Sequence, residues 1–351
     1  MLYFDHAAST PMPGEIRQLL SESLERDFAN PAASHRLGRE LNAKMQECRT
    51  WFLNALGKKR GQIIFTSSAT ESNNMVVKGL GALATVHVDA DSHASLTAPA
   101  KTVKLQETGT KLALLSWVNG QSGKISDLEQ QIKQLRSEHT RIHIHVDAVQ
   151  GFGKIPGNLN NVDSIALSSH KIGGPKGVAL LWIDEGVKLS PLLEGGGHED
   201  GLRSSTPAAP LIFAFQAAAK KSLERQAESL EQIKQLNLRL RTELLSISPQ
   251  IRFPFESSQT SPYILMLVIP QIPSDIVLRF LEERHVYLSS TSACSSRQKG
   301  DNPIFSAMGL PLSEHKHVLR ISLGQETSAV EVDQLLQNFS QVLEALSFYK
   351  K

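Results

Sequence analysis

The chain has 351 residues, 40% of them hydrophobic, and a formal net charge of +2. That length supports one large domain with its own core plus a smaller one, and the near balance of charge, with no basic cluster interleaved with aromatics, argues against nucleic acid as a partner. The opening Met1-Leu2-Tyr3-Phe4-Asp5-His6 lacks a basic-then-apolar leader, no apolar run is long enough to span a bilayer, and Cys48 and Cys294 form neither a disulfide framework nor a metal-spaced cluster, so a cytoplasmic, reducing setting with no membrane partner and no metal is expected.

In chain order, strand-like runs fall at 62–66, 86–89, 111–118, 141–147, 163–168 and 178–183, each short, apolar and closed by Gly, Ser, Asp or Asn. Between the third and fourth, Ser126-Asp127-Leu128-Glu129 reads as a capping box leading into Leu128, Ile132 and Leu135 at helical spacing. Alternating strand and helix predict an α/β domain with a mainly parallel sheet flanked by helices, its functional loops at the carboxyl ends of the strands. From Leu223 to about Leu245 the pattern is one long amphipathic helix. A strand at 263–269, a helix at 273–283, a strand at 318–323 and a terminal helix at 328–346 follow, which predicts a smaller α+β domain. The division expected is 14–222 for the large domain, with 1–13 and 223–351 forming the small one.

Candidate chemistry sits on the junctions. Thr66-Ser67-Ser68-Ala69-Thr70-Glu71-Ser72-Asn73-Asn74 follows a strand and opens a helix, so its backbone N–H groups suit a phosphate; a helix cap with nothing bound is the other reading. His93 lies just after a strand, where a ring can stack on a planar group and move protons, although most lone histidines do neither. Asp147 ends Ile142-His143-Ile144-His145-Val146, and taken alone it reads as an ordinary helix cap. Lys171 taken alone reads as a surface lysine. One αβ unit after Asp147, however, it lies in Ser168-Ser169-His170-Lys171-Ile172-Gly173-Gly174-Pro175-Lys176-Gly177, whose glycines let backbone approach a ligand. A lysine to condense with an aldehyde and an aspartate to face a pyridine nitrogen are the two groups that pyridoxal 5'-phosphate chemistry requires. Cys294, in the small-residue stretch 289–297 with Arg297 nearby, has the accessibility and neighbour of a working nucleophile, with a bystander thiol as the alternative. Cys48 reads as structural. Arg320, inside an apolar strand, needs a partner: either a substrate carboxylate or a structural salt bridge.

Taken in order, these segments resemble the cysteine desulfurases of the class V aminotransferase family, pyridoxal phosphate enzymes of fold type I. The resemblance runs nearly end to end. It is carried by Tyr3-Phe4-Asp5-His6-Ala7-Ala8-Ser9-Thr10-Pro11, by Asn30-Pro31-Ala32 with Ser34-His35-Arg36 and Gly38, and by Ala69-Thr70-Glu71-Ser72-Asn73-Asn74. His93, Asp147 with Gln150, Ser168 with His170 and Lys171, Gly195-Gly196-Gly197-His198-Glu199, Ser290-Thr291-Ser292-Ala293-Cys294 and Arg320-Ile321-Ser322-Leu323-Gly324 complete it.

The resemblance implies a role for each. Lys171 would hold the cofactor covalently and shuttle protons, Asp147 would pair with the ring nitrogen, Gln150 would bond the ring oxygen, and His93 would stack and assist acid–base steps. Ala69, Thr70, Ser168 and His170 would hold the phosphate, with Thr206 supplied across a homodimer interface. Arg320, with Asn119, would bind the substrate carboxylate, and Cys294 would take the sulfur of L-cysteine as a persulfide, leaving alanine. A sulfur-acceptor protein is then an implied partner, with iron–sulfur cluster biogenesis among the outlets. Three departures accompany it. Asn119-Gly120-Gln121-Ser122-Gly123 stands where the family carries two asparagines and a glutamate before the glycine, Ser169 and Ser205 replace common glycines, and the interval from His93 to Asn119 is short by about one helix-plus-strand unit. A related lyase or aminotransferase acting on another amino acid, and a non-catalytic homologue that only binds partners, are the competing readings.

Overall fold

The computed structural model describes residues 1–290 and 302–347, and the chain divides into two compact units. The larger comprises Pro11–Trp117 and Ser126–Leu223, the smaller Met1–Thr10, Val118–Ile125 and Glu224–Lys351. The expected boundaries at 13/14 and 222/223 lie within a few residues of these, but the excursion at 118–125 carries no shift of composition to announce it. Val118 bridges Ile125, Lys124 bridges Thr260, and the Gly123 carbonyl accepts from the Ser261 N–H, all within the smaller unit.

The chain opens with β1 (Leu2–Tyr3) of the smaller unit. The larger unit then runs α1 (Gly14–Arg26), α2 (Arg36–Ala55), β2 (Gln62–Thr66), α3 (Ala69–Gly79), β3 (Leu83–Val88), α4 (Ala94–Thr102), β4 (Thr110–Ser116), α5 (Leu128–Glu138), β5 (Ile142–Asp147), β6 (Ser164–Ser168), β7 (Ala179–Ile183) and α6 (Ala209–Glu224). Six strands form one sheet in the order β2-β7-β6-β5-β4-β3. β3, β4, β5 and β6 pair in parallel, while β7 is antiparallel to both β6 and β2. Two reversals cancel, so β2 points the same way as β3 to β6. The carboxyl ends of β2, β3, β5 and β6, where every candidate residue of this unit except Thr206 lies, therefore share one edge of the sheet, where open α/β sheets bind ligands.

Every residue of β5, β6 and β7 is buried, as a parallel-type sheet covered on both faces demands. Ile64, Met75, Val76, Leu83, Leu112, Leu114 and Leu181 form the core on one face. Two local expectations are corrected. The cap of α5 is Asp127, whose side chain accepts from the Gln130 N–H, because the Ser126 N–H is already bonded to the Trp117 carbonyl. The helix expected from Leu223 to about Leu245 is α7 (Gln226–Ile247), which begins after a break at Arg225 that separates it from α6.

The smaller unit continues with β8 (Ile264–Val268), α8 (Ser274–Glu282), β9 (Val286–Tyr287), α9 (Pro303–Ala307), β10 (Val318–Ser322) and α10 (Ala329–Ala345). β8 and β10 pair antiparallel, β1 and β9 parallel, and Ser328 with Glu331 closes a reciprocal capping box on α10. Among the described residues no helix is long and apolar enough to cross a membrane.

Candidate active site

At the end of β2, Ser68 caps α3 by accepting from the Glu71 N–H. Ala69 and Thr70 are thus the first two helical residues, whose N–H groups have no acceptor within the helix. Glu71 would place a negative charge at this anion-attracting end. Its carboxylate instead turns back to accept from the Ser67 N–H and hydroxyl and from the Arg203 guanidinium at 2.8 Å. Those bonds hold its pKa below the usual carboxylate value although burial opposes them. Thr70 and His93 line one open cleft. Thr206 lines another of about 160 Å³ together with Thr66 and Ser67.

Asp147, at the tip of β5, is 9% exposed. Its Oδ1 accepts from the Val149 N–H at 3.1 Å and its Oδ2 from the Asn73 amide at 2.9 Å. Asn73 on α3 is wholly buried; it also donates to Ser95 Oγ at 2.8 Å and accepts from His145 Nε2 at 2.9 Å. Ser95 Oγ lies 2.7 Å from His93 Nδ1. His93 is exposed to solvent. Partial desolvation lowers its pKa and the Lys171 ammonium adds to this, while the Asp147 carboxylate opposes. Asp147 and Lys171 each therefore lie within electrostatic reach of His93.

Lys171 is half-buried in the turn after β6, beyond the buried Ser168. Its charge also acts on His170, whose pKa falls to about 4, first through burial and then through Lys171, Lys176 and Lys154. Gln150 is 8% exposed, and its Oε1 accepts from the buried Lys154 Nζ at 3.0 Å. An ammonium only donates, so this contact fixes the amide with its NH₂ turned away from Lys154.

In the smaller unit Arg320, on β10, is 8% exposed. Nη2 donates to Asp5 Oδ1 at 2.7 Å and Nη1 to the Gly120 carbonyl at 2.8 Å, leaving Nε without an acceptor among the described residues. The salt-bridge reading of Arg320 is thus present in the geometry. Asn119, one residue before that carbonyl, accepts from the N–H groups of Gln121 and Ser122. Its side-chain oxygen is committed to its own turn. Cys294 lies outside the described residues. Burial pushes the Cys48 thiol up to about 12, which makes it inert at neutral pH.

Other blocks of the resemblance serve the scaffold. His35 caps α2 by accepting from the Gly38 N–H, and a Cβ on Gly38 would meet the Ala33 carbonyl at 2.3 Å. Glu199 accepts from the Phe65 N–H and pairs with both terminal nitrogens of Arg49. Gly324 packs on His6, whose ring lies 2.5 Å from where its Cβ would be. Ser205, standing where the family has glycine, keeps a glycine-like φ of 138°. Sequence reasoning gave no individual role to Asn73, Ser95, His145, Lys154 or Asp5. Two histidines inside a fully apolar strand were a usable signal, since buried imidazoles require partners.

Residues 2–108 and 82–335 match the family described as aminotransferase class-V. The chain belongs to that family. Its members work with pyridoxal 5'-phosphate, and the fold here is fold type I. A relative named cysteine desulfurase IscS, from Dictyoglomus turgidum, is 28% identical over 376 residues, covering 98% of this chain and 95% of its own. Among solved structures, a NifS-like protein superimposes with a TM-score of 0.89 at 26% identity, covering 98% and 99% of the two chains. SspA in complex with cysteine does so with a TM-score of 0.75 at 25% identity, covering 93% of this chain and 100% of that one.

Proposed function

We propose that this class-V protein is a cytoplasmic, homodimeric cysteine desulfurase that takes sulfur from L-cysteine, releases alanine and holds the sulfur as a persulfide on Cys294 for an acceptor protein. The observation that carries the reading is the placement of His93, Asp147 and Lys171 at the carboxyl ends of β3, β5 and β6 on one edge of the sheet, with Asp147 linked to His93 through Asn73 and Ser95. The cofactor, when bound, supplies an aldehyde for Lys171 and a protonated ring that withdraws electrons from the substrate Cα.

The residues of this unit fit that group. Ala69 and Thr70 offer free N–H donors, and neutral His170 with Ser168 adds side-chain donors for a phosphate. The partner subunit's Thr206 would complete that cup. Asp147 has lone pairs left beyond its two bonds to hold a pyridinium proton. Gln150, whose Oε1 accepts from Lys154, would approach a ring oxygen through its amide NH₂. His93 is exposed, so its ring is accessible to a planar group.

Lys171 removes and returns the proton at Cα, and Arg320 with Asn119 orients the substrate carboxylate. Loss of sulfur then breaks the substrate Cβ–S bond as the Cys294 thiolate forms an S–S bond, and Cβ gains a proton, so cysteine plus thiol becomes alanine plus persulfide with no outside oxidant. With Cys48 buried and inert, Cys294 is the one thiol of the chain left for this step.

The test is incubation with L-cysteine, followed by alanine assay and mass spectrometry of the protein. Alanine and one added sulfur on Cys294 are expected, with both lost in Lys171→Ala and catalytic alanine release lost in Cys294→Ala. Full turnover in Cys294→Ala would remove that thiol from the mechanism and favour a lyase or aminotransferase, and no cofactor binding at all would favour a non-catalytic homologue.

A further inference from the structure

The polar groups behind Asp147 form a hydrogen-bond chain whose donors all run in one direction. A carboxylate can only accept, so the Asn73 group 2.9 Å from Asp147 Oδ2 is the amide nitrogen. That choice commits both sides of Asn73. On one side its second amide hydrogen goes to Ser95 Oγ, 2.8 Å away. Having accepted there, the Ser95 hydroxyl sends its own hydrogen to His93 Nδ1 at 2.7 Å, where the Ser95 backbone N–H also arrives at 3.1 Å. A ring nitrogen meeting two donors carries a lone pair, and the proton of the neutral ring must sit on Nε2.

The other side obeys the same rule. Asn73 Oδ1 requires a donor, so His145 Nε2 is protonated and its Nδ1 is bare, accepting the Ser164 hydroxyl at 2.8 Å. Ser164 Oγ in turn accepts from His143 Nε2 at 2.7 Å. Burial lowers the pKa of His143 to about 4 and of His145 to about 3, which keeps both rings neutral with one proton each. From His143 through Ser164, His145 and Asn73 to Ser95 and His93, no bond opposes its neighbours.

We propose that Asn73 and Ser95 are positioning residues that hold His93 as its Nε2–H tautomer, with the Asp147 carboxylate setting the direction of the chain. Nδ1 is then occupied and Nε2 already carries hydrogen, so the ring is a hydrogen-bond donor and a stacking surface, and it cannot serve as the base. Proton removal falls to Lys171 alone. This last consequence rests on the desulfurase reading, whereas the tautomer itself does not.

The experiment is two-dimensional ¹⁵N–¹H correlation of the imidazole signals in the full-length protein at neutral pH. The expected pattern for His93 is a protonated-type Nε2 and a bare-type Nδ1. Ser95→Ala removes the shorter of the two donors and should move both nitrogen signals toward the average of the two tautomers. Asp147→Asn, which can donate as well as accept, should do the same by freeing the Asn73 amide to turn. A wild-type proton on Nδ1, or an unchanged pattern in Ser95→Ala, overturns the proposal; an unchanged pattern in Asp147→Asn overturns the part assigned to the carboxylate. The wild-type spectrum decides even where a variant does not fold. A protein inert toward L-cysteine with His93 in the Nε2–H form would sink the desulfurase reading and leave this one standing.

Discussion

Asp147 in the larger unit is held by an asparagine amide and a backbone N–H, while Asp5 in the smaller unit is held by the guanidinium of Arg320. Both carboxylates are largely removed from solvent, yet the hydrogen-bond donors of Asp147 among the described residues are neutral and that of Asp5 is a full charge. Neutral donors solvate a carboxylate without cancelling it, so the Asp147 carboxylate is left able to act on a cationic group. An arginine cancels the charge, and the pair then orients rather than reacts. The same pairing of residue types could not serve both ends.

Breaking the first arrangement should have the largest effect. Asp147→Asn keeps the shape but removes the charge that stabilises a pyridinium, and alanine release from saturating L-cysteine should fall about a thousandfold, the scale of losing one preorganised electrostatic contact in a closed site. Thermal unfolding should be changed far less. A variant retaining a tenth or more of the activity would mean that the carboxylate does not face the ring nitrogen.

Acid attacks the neutral chain next. The folded-state pKa values of His143 and His145, about 4 and about 3, lie below the ordinary value near 6.5. Between those limits the unfolded chain binds more protons than the folded one, so stability is full above about pH 6.5 and declines as pH falls toward the folded values. By pH 5 each ring should have removed roughly 1–2 kcal/mol. Urea midpoints measured from pH 7 to pH 5 should show this slope, and His145→Asn should lose close to one proton of it between pH 6 and pH 5. An unchanged slope would mean that His145 is not the buried neutral group described.

Asp5→Asn probes the charged arrangement. It leaves a guanidinium that is 8% exposed with one carbonyl and no counter-charge, and stability should fall by about 2–3 kcal/mol, toward the low end for breaking a buried pair because the Asp5 side chain is itself partly open. A shift in urea midpoint at constant slope reads it directly. The expected KM for cysteine rises as well, since Arg320 is then free to leave the orientation set by Asp5.

The contrast between the units also explains what was legible beforehand. All six strands of the large sheet could be read from short, mainly apolar runs, because strands that pack in a sheet core are rich in Val, Ile and Leu even where, as in β3, they are only half-buried. The start of α3 was visible as small hydroxyl residues after a strand, a purely local pattern. The chain from His143 to His93 was not. Its members lie on β5, β6, α3 and α4, and only the sheet register and the packing of α3 bring them together; Arg320 and Asp5 are 315 residues apart. The excursion at 118–125 and the break at Arg225 were missed for the opposite reason: they interrupt no hydrophobic pattern, so periodicity passes through them.

The smallest effect separates two serines of the same region. Ser164 at the start of β6 is bonded to two histidines, whereas Ser169, one residue after β6, is buried with no partner for its Oγ among the described residues. Ser169 also stands where the family carries glycine, and its hydroxyl lies 2.0 Å from where a Cβ on Gly174 would be. With no hydrogen bond to lose, its role is steric, and it is what forbids a side chain at 174. Gly174→Ala should therefore destabilise by about 1–3 kcal/mol through overpacking. Ser169→Gly should recover most of that loss in the double variant while changing little alone, a coupling that a double-mutant cycle on urea midpoints measures. Additive effects would show that Gly174 is required for its own backbone or for Ala218, 3.3 Å from the same Cβ position, and that the serine fills space the turn did not need.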